Sequence, residues 1–216
     1  MRLVFFGFLV LAIAKVMAQS EECINEFEKY GKCITAIQPD QKLTSEEALD
    51  SYCQNFSNAQ CKDFVAEVNN SDIACNPDKD PKNSQLASAI LTIKYHYLTF
   101  CVKDNNGKRC PTISQLLGNA TNDTNVIKNT YIEDCKINEC NDRLVSIVEV
   151  NRIINKISGV DDTSDSEYEK FFDIYKNKKC DDINSLNEDS SSGFENVKKF
   201  SYVFGALVVL IALAAI

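Results

Sequence analysis

The chain has 216 residues, a formal net charge of −8, ten cysteines, one histidine and no tryptophan. The acidic balance argues against nucleic-acid binding, which needs a basic face, and has the wrong sign for adsorption to anionic lipid. With His96 as the lone imidazole and no CxxC pair, the usual zinc-ligand spacings and any freely chosen His-based triad are missing.

Residues 1–18 open with Met1-Arg2, run apolar from Leu3 to Ala14 and end on the small-residue pattern Val16-Met17-Ala18. That order predicts a secretory signal peptide cleaved after Ala18, with no bearing on the fold. At the other end, Ser190, Ser191, Ser192 and Gly193 are followed by a short spacer and an apolar stretch from Phe200 to Ile216. Small residues, spacer and hydrophobic tail are the layout of a glycosylphosphatidylinositol (GPI) attachment signal, and these four residues are the attachment candidates. A tail-anchored transmembrane helix is the competing reading. A span needs about 20 apolar residues, and no basic residue follows this tail to fix a cytoplasmic end. The division expected is residues 1–18 signal, 19–186 helical ectodomain, 187–193 a Ser-rich linker holding the attachment site, and 194–216 the GPI propeptide. Without Arg2, Lys15, Glu195, Lys198 and Lys199, residues 19–192 keep 19 basic and 30 acidic side chains, a net −11.

Within the ectodomain the apolar period is helical throughout. Residues 20–37 place Cys23, Phe27, Tyr30, Ile34 and Ile37 at three- and four-residue steps. Thr44-Ser45-Glu46-Glu47 reads as a capping box, with Thr44 as the cap, opening a helix through Leu49, Tyr52, Cys53 and Phe56. A short helix over 59–68 follows, then a connector with Pro77 and Pro81. Ser84 caps the most apolar helix, running to about 102, whose broad stripe predicts burial on more than one side. Pro111 suits the first turn of a short helix ending at Gly118. Residues 124–158 are helical with a break near Cys140, Gly159 stops them, and 165–179 form a last helix with Tyr168, Phe171, Phe172 and Tyr175 inward. No stretch alternates with period two, so the fold class is all-α, a single disulfide-rich domain of about six to eight helices.

All ten cysteines lie in the ectodomain: Cys23, Cys33, Cys53, Cys61, Cys75, Cys101, Cys110, Cys135, Cys140 and Cys180. An even set at this density in a secreted chain predicts five disulfides. Cys23 and Cys33 on one helix stand about 15 Å apart, beyond the roughly 7 Å a bridge allows, so each must reach another helix. Cutting the chain at 76–83, at 118–123 or at 160–164 leaves odd numbers of cysteines, so a bridge must cross each of these boundaries. That favours one integrated body. Four Asn-X-Ser/Thr sequons, at Asn55, Asn69, Asn119 and Asn122, predict N-glycosylation at exposed loops or helix ends.

No catalytic constellation is legible, and no cofactor or metal is expected. His96 lies between Tyr95 and Tyr97 in the apolar helix, a place for a packed histidine. Asp161-Asp162-Thr163-Ser164-Asp165-Ser166-Glu167 has the oxygens of a calcium loop but lacks the sixth-position Gly, and Phe172 stands where the bidentate Glu belongs. The chain therefore reads as a non-enzymatic module displayed from the outer leaflet of the plasma membrane through its GPI lipid. It would meet a cell-wall polymer or an extracellular protein. The alternative is a carrier or sensor of a small apolar ligand, a lipid or sterol, in a cavity lined by Phe27, Tyr30, Phe64, Tyr97, Phe100, Phe171 and Phe172.

The whole-chain layout (signal, glycosylated cysteine-rich body, Ser-rich segment, GPI signal) resembles that of cell-surface proteins of fungi and some protozoa. Cysteine number and spacing fit neither the fungal eight-cysteine membrane-linked domain, nor the elicitins, nor the saposins. The resemblance implies an extracellular address and no particular site.

Overall fold

A computed structural model describes residues 19–36, 45–117, 123–158 and 165–185. Among them the chain forms eight α-helices and three short 3₁₀ helices, with a single isolated bridge between Lys103 and Arg109 as its only β pairing. The fold is all-α, as the periodicity implies. In chain order the helices are α1 Glu21–Ala36, α2 Glu46–Asn55, α3 Lys62–Ala66, α4 Ser84–Phe100, α5 Pro111–Leu117, α6 Thr124–Lys136, α7 Asn138–Ile157 and α8 Asp165–Lys176. The 3₁₀ turns are Ala59–Cys61, Pro81–Asn83 and Cys180–Ser185. The signal peptide, the GPI segment with Ser190–Gly193, and the sequons at Asn119 and Asn122 lie outside the described residues.

The caps differ from the sequence reading by small shifts with local causes. Ser45, not Thr44, caps α2: its Oγ accepts from the Ala48 amide at 3.2 Å. Moving the cap by one puts Ala48 where the reciprocal Glu of a capping box would sit, and Glu47 instead bonds the Ser45 hydroxyl. Ser84 is the first residue of α4 rather than its cap. The chain enters through the turn Pro81–Asn83, capped by Asp80, whose carboxylate accepts from the Lys82 amide at 3.0 Å. The break after α6 falls at Ile137, in extended conformation, three residues before Cys140. Lys178 takes a positive φ of 52°, which closes α8, and Cys180 then opens a 3₁₀ turn instead of ending the helix.

Two helices organise the rest. Helix α4, buried on more than one side through Leu86, Ile90, Leu91, Ile93 and Tyr95, joins Cys23, Tyr30 and Cys33 of α1, Tyr52 and Phe56 near α2, and Phe64 of α3 in the larger core. Helix α7 supplies Val150, Ile153 and Ile154 to that core. Its earlier turns, through Leu144, join Ile132 of α6, Phe171, Ile174 and Tyr175 of α8, and Ile183 in a second core. On α8, Ile174 is buried with Phe171 and Tyr175, while Tyr168 and Phe172 are only half-buried. Lys176 covers the Phe172 ring, its Nζ 4.9 Å from the centroid. So α7 spans both cores, and its packing on α4 holds them together.

Candidate functional site

All ten cysteines are paired: Cys23–Cys75, Cys33–Cys61, Cys53–Cys101, Cys110–Cys140 and Cys135–Cys180. Cys23 and Cys33 each reach a different segment, as helix geometry demands. Bridges cross the chain at 76–83 (Cys53–Cys101), at 118–123 (Cys110–Cys140) and at 160–164 (Cys135–Cys180), as parity requires. One boundary escaped that reasoning. A cut between Cys101 and Cys110 leaves six cysteines before it and four after, and no bridge crosses it. The disulfides thus form two closed sets meeting at the turn of residues 102–109, and Cys110–Cys140 packs with Ile113 and with Leu49 of α2 in a third, smaller core. Gly107 (φ 73°) makes that turn, and Asp104 accepts from the amides of Asn106 and Lys108.

The two sets are joined by packing, by outer polar contacts such as Ser71–Glu149, Ser146–Asn69 and Lys156–Asp78, and by a buried polar knot. The Arg143 and Asp134 side chains, 2% and 0% exposed, form an ion pair. Asp134 also accepts from the Thr112 amide at 3.1 Å and from the Thr112 hydroxyl, fixing the first turn of α5. The other face of the Arg143 guanidinium donates to the carbonyls of Leu98 at 3.2 Å and Thr99 at 3.4 Å. These belong to the last turn of α4, where carbonyls lack intrahelical partners. Arg109 donates to the Phe100 carbonyl at 3.3 Å and pairs with Asp50. Helix α4 has no basic residue in its own last turn, so two arginines from beyond it meet its negative end. Burial pushes the Asp134 carboxyl upward, opposed by the adjacent guanidinium and the Thr112 bonds.

A second buried cation sits on α4. Lys94, 1% exposed, donates to the carbonyls of Glu67 at 2.9 Å and Asn70 at 2.6 Å, the turn that follows α3. Burial brings its ammonium down to about 8, against the pull of Glu26 and Glu67. Two of its three donors go to main chain, so it clamps this turn to α4. Neither Lys94 nor the Arg143–Asp134 pair was singled out from sequence. The available signal was a charged residue inside an apolar helical stripe: Lys94 falls four residues after Ile90 and three before Tyr97.

His96 is half-buried, and its Nδ1 lies 3.3 Å from the Tyr52 hydroxyl. Desolvation lowers it to about 4, so the ring is neutral at physiological pH. It packs edge-on to Phe100 and beside Tyr52 and Tyr95, a packed histidine as its setting implies. Of the rings named as cavity candidates, Tyr30, Phe64 and Tyr97 meet one another through Phe56: Tyr30–Phe64 and Phe56–Tyr97 edge-to-face, Phe56–Phe64 stacked. Phe27 and Phe100 are partly buried at the margin of that core, and Phe171 stacks on Tyr175 in the other.

Cys110, Asp134 and Cys140 bring three ligand-type atoms within 4.8 Å of one another, all buried. The two sulfurs are bonded to each other and the carboxylate is paired with Arg143, so the cluster is structural. Of the sequons described, Asn55 is the last residue of α2 and half-buried, and Asn69 is exposed in the turn after α3. Ser146 donates to the Asn69 side-chain oxygen at 3.2 Å, leaving the bond away from the nitrogen a glycan would occupy.

Protein-family models, curated proteins and solved structures contain no match to this chain. The functional reading therefore rests on residues and geometry alone. A disulfide-rich, all-helical body is consistent with an extracellular or secreted protein. Among the described residues no helix is long and apolar enough to cross a membrane.

Proposed function

We propose that this chain is a GPI-anchored, N-glycosylated cell-surface protein whose stapled helical body is displayed from the outer leaflet as a structural or interaction module. The observation that carries the reading is the pairing of all ten cysteines within one helical body. Such bridges persist in oxidising compartments and are rare where glutathione keeps thiols reduced. The N-terminal apolar run and the Ser190–Gly193 segment with its hydrophobic tail supply the route and the attachment. Asn69, exposed on a turn, supports glycosylation of the body. The chemistry found inside the fold is spent on itself: Lys94 and Arg143 serve helix ends, and His96 packs among aromatic rings. Contact with a wall polymer or extracellular partner would fall to the acidic, glycosylated exterior.

The test is release from intact cells expressing the full chain. Phosphatidylinositol-specific phospholipase C should free the protein into the medium, and peptide N-glycosidase should then lower its apparent mass. Retention on the cells after lipase, together with resistance to alkaline carbonate, would identify a spanning tail and overturn the anchor assignment.

A further inference from the structure

Adjacent basic side chains occur twice among the described residues, at Lys108-Arg109 and at Lys178-Lys179. The two places differ in what a break in the chain would do. A cut at Lys178-Lys179 leaves both pieces tied through Cys135–Cys180. Those lysines are also engaged, Lys178 with Asn138 at 2.7 Å and Lys179 with Asp173 at 2.9 Å. A cut at Lys108-Arg109 falls between Cys101 and Cys110, where no bridge crosses, and leaves two chains with no covalent link. Asn105, Asn106, Gly107 and Lys108 are all exposed, and an exposed tip of small and polar residues is where proteolysis concentrates.

Three basic side chains flank or occupy this turn, and Asp50 holds two of them. Lys103 Nζ lies 3.9 Å from the Asp50 carboxylate, and acidic Asp104 follows it in the chain. The Arg109 side chain, 11% exposed, pairs with Asp50 and donates to the Phe100 carbonyl. Lys108 is the one that an acidic protease pocket can take without dismantling that pairing. Asp104 keeps the turn closed: its carboxylate accepts from the amides of Asn106 at 2.9 Å and Lys108 at 2.7 Å, and its own amide donates to the Lys108 carbonyl at 2.7 Å. A protease that binds its substrate extended must open these bonds, so Asp104 governs access. After a cut the halves still meet through Val150, Ile153 and Ile154 in the larger core, and through Arg143 on the carbonyls of Leu98 and Thr99. What is lost is the connector, which had held the halves at an effective concentration on the order of millimolar.

We propose that the turn of residues 102–109 is a processing site at which an extracellular trypsin-like protease hydrolyses the Lys108–Arg109 bond, converting the body into two chains that stay paired without a covalent link. Water adds across the amide, leaving a carboxylate on Lys108 and an α-amino group on Arg109. Resting on the reading of a C-terminal GPI lipid, the second chain stays on the membrane. The first, carrying α1 to α4, is the part that leaves when the pair dissociates.

The experiment treats the full-length protein in detergent with limiting trypsin and follows it, unreduced, by native and denaturing mass spectrometry. The first cut should fall after Lys108, with the native mass raised by one water and the denatured sample split into two chains. Lys108→Gln should slow that first cut by about an order of magnitude, and Asp104→Ala should hasten it. The Tm of the cut protein should rise with its concentration, as for any dissociating pair, while that of the uncut protein stays fixed. Protein taken from the cells that produce it should already contain the two chains. A first cut elsewhere, a Lys108→Gln variant cut as fast as the parent, halves that separate at once under native conditions, or only uncut chain in the producing cells would each overturn the proposal. On intact cells treated with trypsin, mild urea should release the chain ending at Lys108, and phospholipase C should then free the other. Release by urea with no response to the lipase would support the processing site and refute the anchor.

Discussion

Replacing Arg143 by Met keeps the length and apolar stem of the side chain and deletes its charge. The structure assigns three losses to that change. Asp134, fully buried, is left without its cation; the carbonyls of Leu98 and Thr99 lose their donor; and the Thr112 hydroxyl loses a neighbour. Breaking one side of a buried pair costs about 3–5 kcal/mol, a large part of the roughly 5–15 kcal/mol that holds a domain folded. The double variant Arg143→Met/Asp134→Leu removes both charges. It leaves main-chain groups and Thr112 to be satisfied, at about 1–3 kcal/mol for each that stays bare, but no unpaired buried charge. Urea denaturation with linear extrapolation resolves the difference. The double variant should be more stable than Arg143→Met alone. A single-variant loss below about 1 kcal/mol, or a double variant less stable than the single, would mean the knot does not hold the seam.

Three further outcomes follow from the same geometry. His96 titrates at about 4 in the fold against about 6.5 in an unfolded chain. Its contribution is fully present above pH 6.5 and is lost as pH falls through 4, an upper bound of about 2 kcal/mol already lost at pH 5. Subtracting the stability-pH curve of His96→Phe should expose this step between pH 6.5 and 5, and parallel curves would contradict it. The Cys135–Cys180 bridge closes a separation of 45 residues, so Cys135→Ser/Cys180→Ser should lose about 4 kcal/mol on chain-entropy grounds. Calorimetry showing an unchanged Tm would refute that. Strong reductant, which removes all five bridges, should unfold the helices, and an unchanged circular-dichroism melt would sink that expectation.

The helices were legible because their apolar spacing is regular: α1, α4 and the α6–α7 stretch each lie within a few residues of the sequence reading. Boundaries slipped where a competing local interaction won, as when Ser45 took the cap from Thr44 or extended Ile137 broke the chain without Gly or Pro. Parity correctly located three bridged boundaries but was silent where the count is even, and the seam between Cys101 and Cys110 is such a place. The polar knot was hidden for a different reason. Arg143 and Asp134 look like ordinary solvated charges in sequence and Lys94 only interrupts an apolar stripe; the tertiary meeting of α4 with the turn after α3, and of α4, α5, α6 and α7, gives them partners.

The partition of the disulfides underlies the account of the body and its seam, and it yields to one measurement. Trypsin reaches Lys103 and Lys108 in the exposed turn between Cys101 and Cys110. After brief digestion the unreduced protein is denatured and weighed. The two closed sets predict two separate fragments, one lacking six hydrogens for three bridges and the other lacking four for two. A nicked protein that keeps a single mass until reductant is added would mean that a bridge spans the turn, and the two-set framework would be wrong.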